Sequence, residues 1–146
     1  MKLIASFSLI LTLSACGLKP EPGRLATETT RPIREFTGHD AQKLVDIFKN
    51  LGMRPAEDPS GQRYGFNLTK IECTQVPSPR ALPLCVLTQG GLVKDAGGDS
   101  GTIYGLFVEN GAKIYGERGV TKLVLTDVDC LTYNVYRGTS KCFYRQ

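Results

Sequence analysis

Cysteine is the residue type in this chain whose number and spacing point most directly to chemistry. Of the five cysteines, Cys16 stands alone near the start, and the other four form two equally spaced pairs, Cys73 with Cys85 and Cys130 with Cys142. In a compartment more oxidising than the cytosol, four thiols predict two disulfides. The count alone leaves three pairings open.

Other candidates for catalysis or metal binding are few. His39 is the single histidine and accompanies no nucleophile motif, so an exposed polar role is favoured over that of a general base. The aspartates Asp95, Asp99, Asp127 and Asp129 have neither the number nor the spacing of calcium ligands. Because a Gly-x-Ser-x-Gly motif and a phosphate-binding glycine loop are also absent from the sequence, we expect no enzyme and no cofactor.

The charge balance bears on the class of partner. The chain has 18 Lys and Arg against 14 Asp and Glu, a net charge of +4, and the basic residues are dispersed. A nucleic-acid surface would instead cluster Lys and Arg and interleave them with aromatic residues. We therefore expect no nucleic-acid partner.

The first seventeen residues combine a basic residue, an apolar run and a cysteine. Lys2 precedes an apolar run, Leu3–Leu13, and the run ends in Leu13-Ser14-Ala15-Cys16 followed by Gly17. This order and spacing resemble the signal peptide and lipobox of bacterial lipoproteins. This run is too short for a membrane span, which needs about twenty residues. The resemblance implies that residues 1–15 are cleaved off and that Cys16 carries a diacylglyceryl group on sulfur and an acyl group on nitrogen. Gly17 implies sorting to the outer membrane, facing the periplasm, if the cell is Gram-negative.

The elements that hold the paired cysteines begin after a tether. Residues 16–35 contain Pro20, Pro22 and Pro32 and few apolar side chains, so we expect them to be a disordered linker. Residues 36–146 are long enough for one globular domain.

The first element of that domain is predicted to be a helix. Thr37-Gly38-His39-Asp40 has the form of a capping box, and Gly52 would end the helix. Between them, apolar residues recur at three- and four-residue steps: Ala41, Leu44, Val45, Phe48 and Leu51.

A sequence repeat organises the rest of the domain. The segment Leu68–Cys73 sits in a predicted strand and recurs as Leu125–Cys130, and the second cysteine of each pair follows at the same separation. We infer two repeats, about 38–90 and 99–146, each a helix followed by a hairpin that a disulfide closes. The favoured bridges are therefore Cys73–Cys85 and Cys130–Cys142.

The predicted fold class is α+β, with helices packed on an antiparallel sheet. Residues 101–115 stay open to two interpretations, because Asn110-Gly111 is typical of a hairpin turn whereas the repeat predicts a second helix. We favour the helix.

This arrangement, over Asp40 to Gln146, resembles the repeated unit of the β-lactamase inhibitor protein family. The resemblance implies a protein-binding surface on a helix-backed sheet, and it transfers no binding residues. The candidate contact residues are Tyr136 and Arg137 in a predicted turn and Arg80 in the proline-rich turn. We expect a membrane-anchored, non-catalytic binding or structural module that contacts another envelope protein. The alternative is an inhibitor of an envelope or foreign enzyme.

Overall fold

An antiparallel sheet organises the part of the chain that the computed structural model describes, which is residues 32–57, 59–133 and 139–146. The sheet order is β1-β8-β7-β3-β4-β5, with β2 added on β3 and β6 on β7. The strands are β1 Ile33–Thr37, β2 Ala56–Glu57, β3 Arg63–Gln75, β4 Leu84–Gln89, β5 Leu92–Asp95, β6 Tyr115–Glu117, β7 Val120–Tyr133 and β8 Lys141–Arg145.

The two long central strands give the sheet its two faces. On β3, Phe66 and Leu68 are buried whereas Asn67 between them is exposed, as expected for a strand with one covered face. The partner strand β7 behaves in the same way, and Phe66 lies opposite Cys130 while Leu68 lies opposite Val128. The side chains on the covered face form one hydrophobic core with both helices.

Helix α1, His39–Asn50, supplies one side of the core through the predicted apolar stripe. The predicted capping box is wrong, because Thr37 belongs to β1, where it pairs with Lys141. The helix begins instead after Gly38, whose φ of 88° reverses the chain and whose amide donates to the Ser140 carbonyl. The carboxylate of Asp40 accepts a hydrogen bond from the Asn110 side chain at 3.0 Å rather than reaching back to the helix start.

The open question at residues 101–115 is settled in favour of a helix. Helix α2, Ser100–Glu109, follows a short 3-10 turn at Gly97–Asp99 and buries Ile103 and Phe107. The hairpin reading of Asn110-Gly111 is wrong, because the Asn110 side chain donates to the Leu106 carbonyl at 2.8 Å and closes the helix.

The start of the domain lies earlier than the sequence indicated. We placed the tether up to residue 35, yet Ile33 begins β1 and pairs with Arg145 near the other end of the chain. The described residues from Pro32 onwards belong to one compact unit.

Two disulfides join the pairs that the repeat favoured. Cys73 lies opposite Cys85 across β3 and β4, with an S–S distance of 2.01 Å, and Cys130 lies opposite Cys142 across β7 and β8, at 2.10 Å. All four cysteines are buried. The described domain is therefore α+β, and the antiparallel sheet is its dominant part.

Candidate binding surfaces

Among the described residues, no helix lies over one face of the sheet. On β4, Cys85 and Leu87 are buried beneath the helices, while the alternating residues Leu84 and Val86 are 63% and 40% exposed. Val93 on β5 lies opposite Thr88, on the same uncovered face, and is 64% exposed. We call Leu84, Val86 and Val93 the outer patch, and the face that carries them the outer face.

Charged residues run along the outer face beside this patch. Lys70 Nζ lies 3.0 Å from Glu72 Oε1. Lys122 Nζ lies 3.8 Å from Glu72 Oε2 and 3.7 Å from Glu117 Oε2. The charges alternate in sign and are partly exposed, so each pair contributes at most about 1 kcal/mol to stability. Their main effect is to neutralise the middle of the face beside the apolar outer patch.

The loop between β3 and β4, residues 76–83, projects from one end of the sheet. The Cys73–Cys85 disulfide closes its base, and two backbone hydrogen bonds shape it: Ser78 donates to the Val76 carbonyl at 2.8 Å and Ala81 to the Ser78 carbonyl at 3.0 Å. The side-chain amide of Gln75 donates a further hydrogen bond to the Ala81 carbonyl at 3.4 Å. Three prolines restrict its backbone further. Residues 76–80 and Leu82 of this hydrogen-bonded loop are exposed, whereas Pro83 at its end is buried.

The side chains at this end of the sheet are apolar and cationic. Leu82 is 78% exposed, and Val76 and Arg80 are exposed as well. Tyr115 on β6 pairs with Lys122 of β7, Lys122 pairs with Thr74 of β3, and Thr74 pairs with Leu84 of β4. Tyr115 and Leu84 therefore lie in the same row across the sheet. The turn after β6 adds the exposed Arg118, which has a φ of 54°. We call Val76, Arg80, Leu82, Tyr115 and Arg118 the loop end.

Two shallow recesses, each lined by both polar and apolar residues, lie at the other side of the outer face. They have volumes of about 280 and 410 Å³ and share Asn67 and Asp129, which lie opposite one another on β3 and β7. Burial raises the pKa of the Asp129 carboxyl, and the nearby Arg63 guanidinium opposes that rise. Beside them, Arg145 Nε lies 3.4 Å from Asp127 Oδ2. The recesses can hold water or a small polar group, and no buried polar atom within the described ranges is left unsatisfied there.

The predicted site residues fall into two groups. Cys16, Tyr136 and Arg137 lie outside the described residues, whereas Arg80 is exposed on the 76–83 loop. Tyr133, the last described residue of β7, lies opposite Arg63, at the end of β3 away from that loop. Tyr133 thus lies at the opposite end of the sheet from Arg80.

The remaining candidates behave as ordinary structural residues. His39 is exposed in the first turn of α1, and the Asp95 side chain accepts a hydrogen bond from the Gly97 amide at 3.0 Å, as in a turn. No group of three or more His, Cys, Asp or Glu within the described ranges is arranged to hold a metal ion.

The outer patch is the feature that we did not predict from the sequence. Its signal was present, because Leu84 and Val86 alternate with Cys85 and Leu87 in the predicted strand and must face away from the disulfide. Alternation alone does not show that this face lacks a covering layer.

No protein-family model, curated protein or solved structure matches the chain. Among the described helices, none has the length and apolar character that crossing a membrane requires.

Proposed function

We propose that this protein is a lipoprotein of the bacterial cell envelope, anchored through Cys16, whose domain is a non-catalytic module that binds another envelope protein. The support for the anchor is the lipobox pattern Leu13–Cys16. By the same family pattern, Gly17 favours the outer membrane of a Gram-negative cell, with the domain in the periplasm. Two buried disulfides in the domain fit an oxidising compartment outside the cytosol.

The observation that carries the binding role is the exposed outer patch. Leu84, Val86 and Val93 come from two neighbouring strands and present apolar side chains on a face that neither described helix covers. Exposed apolar side chains that neighbouring strands bring to one face of a sheet favour an interaction site over isolated surface residues. The neutralised charges beside it would form a polar rim.

We also propose that the domain arose by duplication. Each half has the element order strand, helix, short strand, long strand and a further strand that a disulfide joins to the long one, β1-α1-β2-β3-β4 and β5-α2-β6-β7-β8. The element orders match β1 with β5, β3 with β7 and β4 with β8. When each strand is replaced by its counterpart, the sheet order β1-β8-β7-β3-β4-β5 becomes the same order counted from the opposite edge. In this arrangement the first strand of each half pairs with the last strand of the other half, which supports a pseudo-twofold origin.

The alternative function is inhibition of an envelope or foreign enzyme. The observation that favours it is the 76–83 loop, which is exposed, rich in proline and closed at its base by a disulfide. A loop that is already ordered loses little entropy when it enters a partner's cleft. Arg80 and Leu82 would then be the side chains that enter.

Photo-crosslinking in the producing cell separates the two functions. A crosslinking amino acid is placed at Val86 in the outer patch, at Arg80 in the loop, or at Lys43, an exposed residue of α1 that serves as the control. A protein adduct from position 86 alone supports the binding module. An adduct from position 80 alone supports the inhibitor, and equal adducts from all three positions, or none from position 86, contradict the proposed surface.

A further inference from the structure

We propose that the loop end rests on the phospholipid surface of the membrane in which Cys16 is anchored. This inference depends on the lipoprotein function proposed above and adds to it an orientation and a second point of contact. Three observations on the described residues carry it: the direction of β1, the chemistry of the loop end and the order of the 76–83 loop.

The chain enters the domain from the direction of the loop end. Through the strand pairings, Ile33 lies level with Lys70 of β3, whereas Thr37 lies level with Gly65. Since β3 runs from Gly65 past Lys70 to Gln75 and into the 76–83 loop, β1 runs away from that loop. The residue before Ile33 therefore lies on the side of the domain that carries the loop end.

The connection to the anchor is long enough for this contact. Five residues of strand separate the level of Lys70 from Gln75, which is about 17 Å at about 3.3 Å per residue. The sixteen residues between Cys16 and Ile33 can reach at most about 55 Å. An anchor at Cys16 and a loop end at the bilayer surface are therefore compatible.

The loop end has the composition of a surface that meets a bilayer interface. Leu82 and Val76 are apolar and exposed, and Tyr115 adds an aromatic ring with a polar hydroxyl, the kind of side chain that favours the headgroup region. Arg80 and Arg118 form no ion pair within the described part of the chain. Their charges are therefore available to anionic headgroups.

The acidic residue nearest this surface does not cancel that attraction. Glu117 lies on β6 beside Arg118, and its carboxylate is 3.7 Å from Lys122 Nζ, which balances its charge. Among the described residues, no ion pair compensates these two positive charges, which lie around an apolar tip. This combination of apolar insertion and electrostatic attraction is how peripheral segments bind a membrane surface.

The order of the 76–83 loop keeps the apolar tip outside. The Cys73–Cys85 disulfide closes the base of the loop and the hydrogen bonds of Ser78, Ala81 and Gln75 shape residues 75–81, next to which Leu82 is 78% exposed. A pre-ordered tip loses little conformational freedom when it enters the interface. In the outer patch, Val86 and Val93 lie farther along the sheet from the loop end than Leu84 does, so they can still contact a protein partner.

The test uses the absence of tryptophan from this chain. The lipidated full-length protein with Leu82→Trp has one indole at the loop end, and Lys43→Trp places one on the exposed surface of α1 as a matched control. Each variant is reconstituted into vesicles of phosphatidylethanolamine and phosphatidylglycerol, with and without bromine on the acyl chains. We expect the Leu82→Trp emission to shift to shorter wavelength and to lose most of its intensity with brominated lipid, while Lys43→Trp keeps both.

Two results would overturn the proposal. One is a lipidated, vesicle-bound Leu82→Trp protein whose emission and quenching match those of Lys43→Trp. The other is a shift to shorter wavelength that requires added envelope proteins and shows no quenching by bromine, which would assign the loop to a protein partner. Intact mass before reconstitution separates this failure from that of the anchor, because a chain without lipid on Cys16 that does not sediment with vesicles refutes both proposals.

Discussion

Replacing Gly65 by alanine should be among the most damaging single-methyl changes in the described domain. A Cβ at this position would lie 2.6 Å from the Cys130 carbonyl oxygen, 2.7 Å from Leu131 Cβ and 2.9 Å from Leu131 Cα. Gly65 pairs with Leu131 on one side and with Ala56 on the other, so β3 has no free edge at this point toward which it could move. Overpacking of a rigid site costs typically 1–3 kcal/mol, and because two of the three atoms are backbone we expect about 3 kcal/mol.

The control is Gly105→Ala in the middle of α2. A Cβ there would meet no atom within 4 Å, and the backbone is helical. Alanine should therefore stabilise the domain by up to about 1 kcal/mol, through helix propensity alone. The same chemical change thus has opposite expected signs at the two positions.

The assay is urea unfolding at equilibrium, followed by far-UV circular dichroism with both disulfides intact. We expect the Gly65→Ala midpoint to fall and the Gly105→Ala midpoint to stay or rise, with unchanged slopes. If Gly65→Ala is as stable as the unsubstituted protein, the close pairing of β3 with β7 is wrong, and with it the placement of the outer face. A loss of stability in both variants would also refute the argument, since it would show a general intolerance to alanine.

Two further predictions concern the disulfides and the half-buried carboxyl of Asp129. Replacing Cys73 and Cys85 together by alanine should lower the free energy of unfolding by about 3 kcal/mol, and replacing Cys130 and Cys142 should lower it by about as much, since both bridges have the same sequence separation, 12 residues. Urea unfolding of the two double variants measures these losses. A loss near zero for either variant would contradict the structural role of that bridge. Because burial raises the pKa of Asp129 in the folded chain, its ionisation opposes folding, so this contribution to stability is present at acidic pH and is lost as the pH rises through the raised pKa. In parallel urea titrations, the free energy of unfolding of Asp129→Asn minus that of the unsubstituted protein should therefore be larger at pH 7 than at pH 3. A smaller difference at pH 7 than at pH 3 would contradict this sign.

The helices and the disulfide pairing could be predicted because their signals are local or repeated. The stripe from Ala41 to Phe48 has helical spacing, and it is buried as expected. The second helix has a weaker pattern of its own, and the repeat of the first half indicated it correctly. The equal spacing within the two cysteine pairs selected the bridges that are present.

Strand β1 and its effect on the first helix could not be predicted in this way. Only Phe36 of its five residues is buried, so the strand has almost no apolar alternation, and its partner β8 comes more than a hundred residues later in the chain. Pairing with β8 fixes Thr37 in the sheet, which removes it from the capping role that local sequence suggested. A long-range contact thus overrides a local preference.

The candidate surfaces show the same limit. Arg80 was recognisable as an exposed residue from the prolines around it, and it is exposed. The outer patch depends on which layers cover which face of the sheet, and this is decided by the positions of both helices rather than by the strands themselves. The direction of β1, which places the chain's entry on the side of the loop end, depends on the pairings across four strands.

The central claim is that Cys16 anchors this domain to a membrane, and the most direct test is the intact mass of the protein extracted from the membrane fraction of cells that produce it. We expect a chain that begins at Cys16 and carries the mass of a diacylglyceryl group and an amide-linked acyl chain. The Cys16→Ser variant should lack both groups and appear in the soluble fraction. An unmodified Cys16, or a Cys16→Ser protein that remains with the membrane as fully as the original, would contradict the anchor and the function built on it.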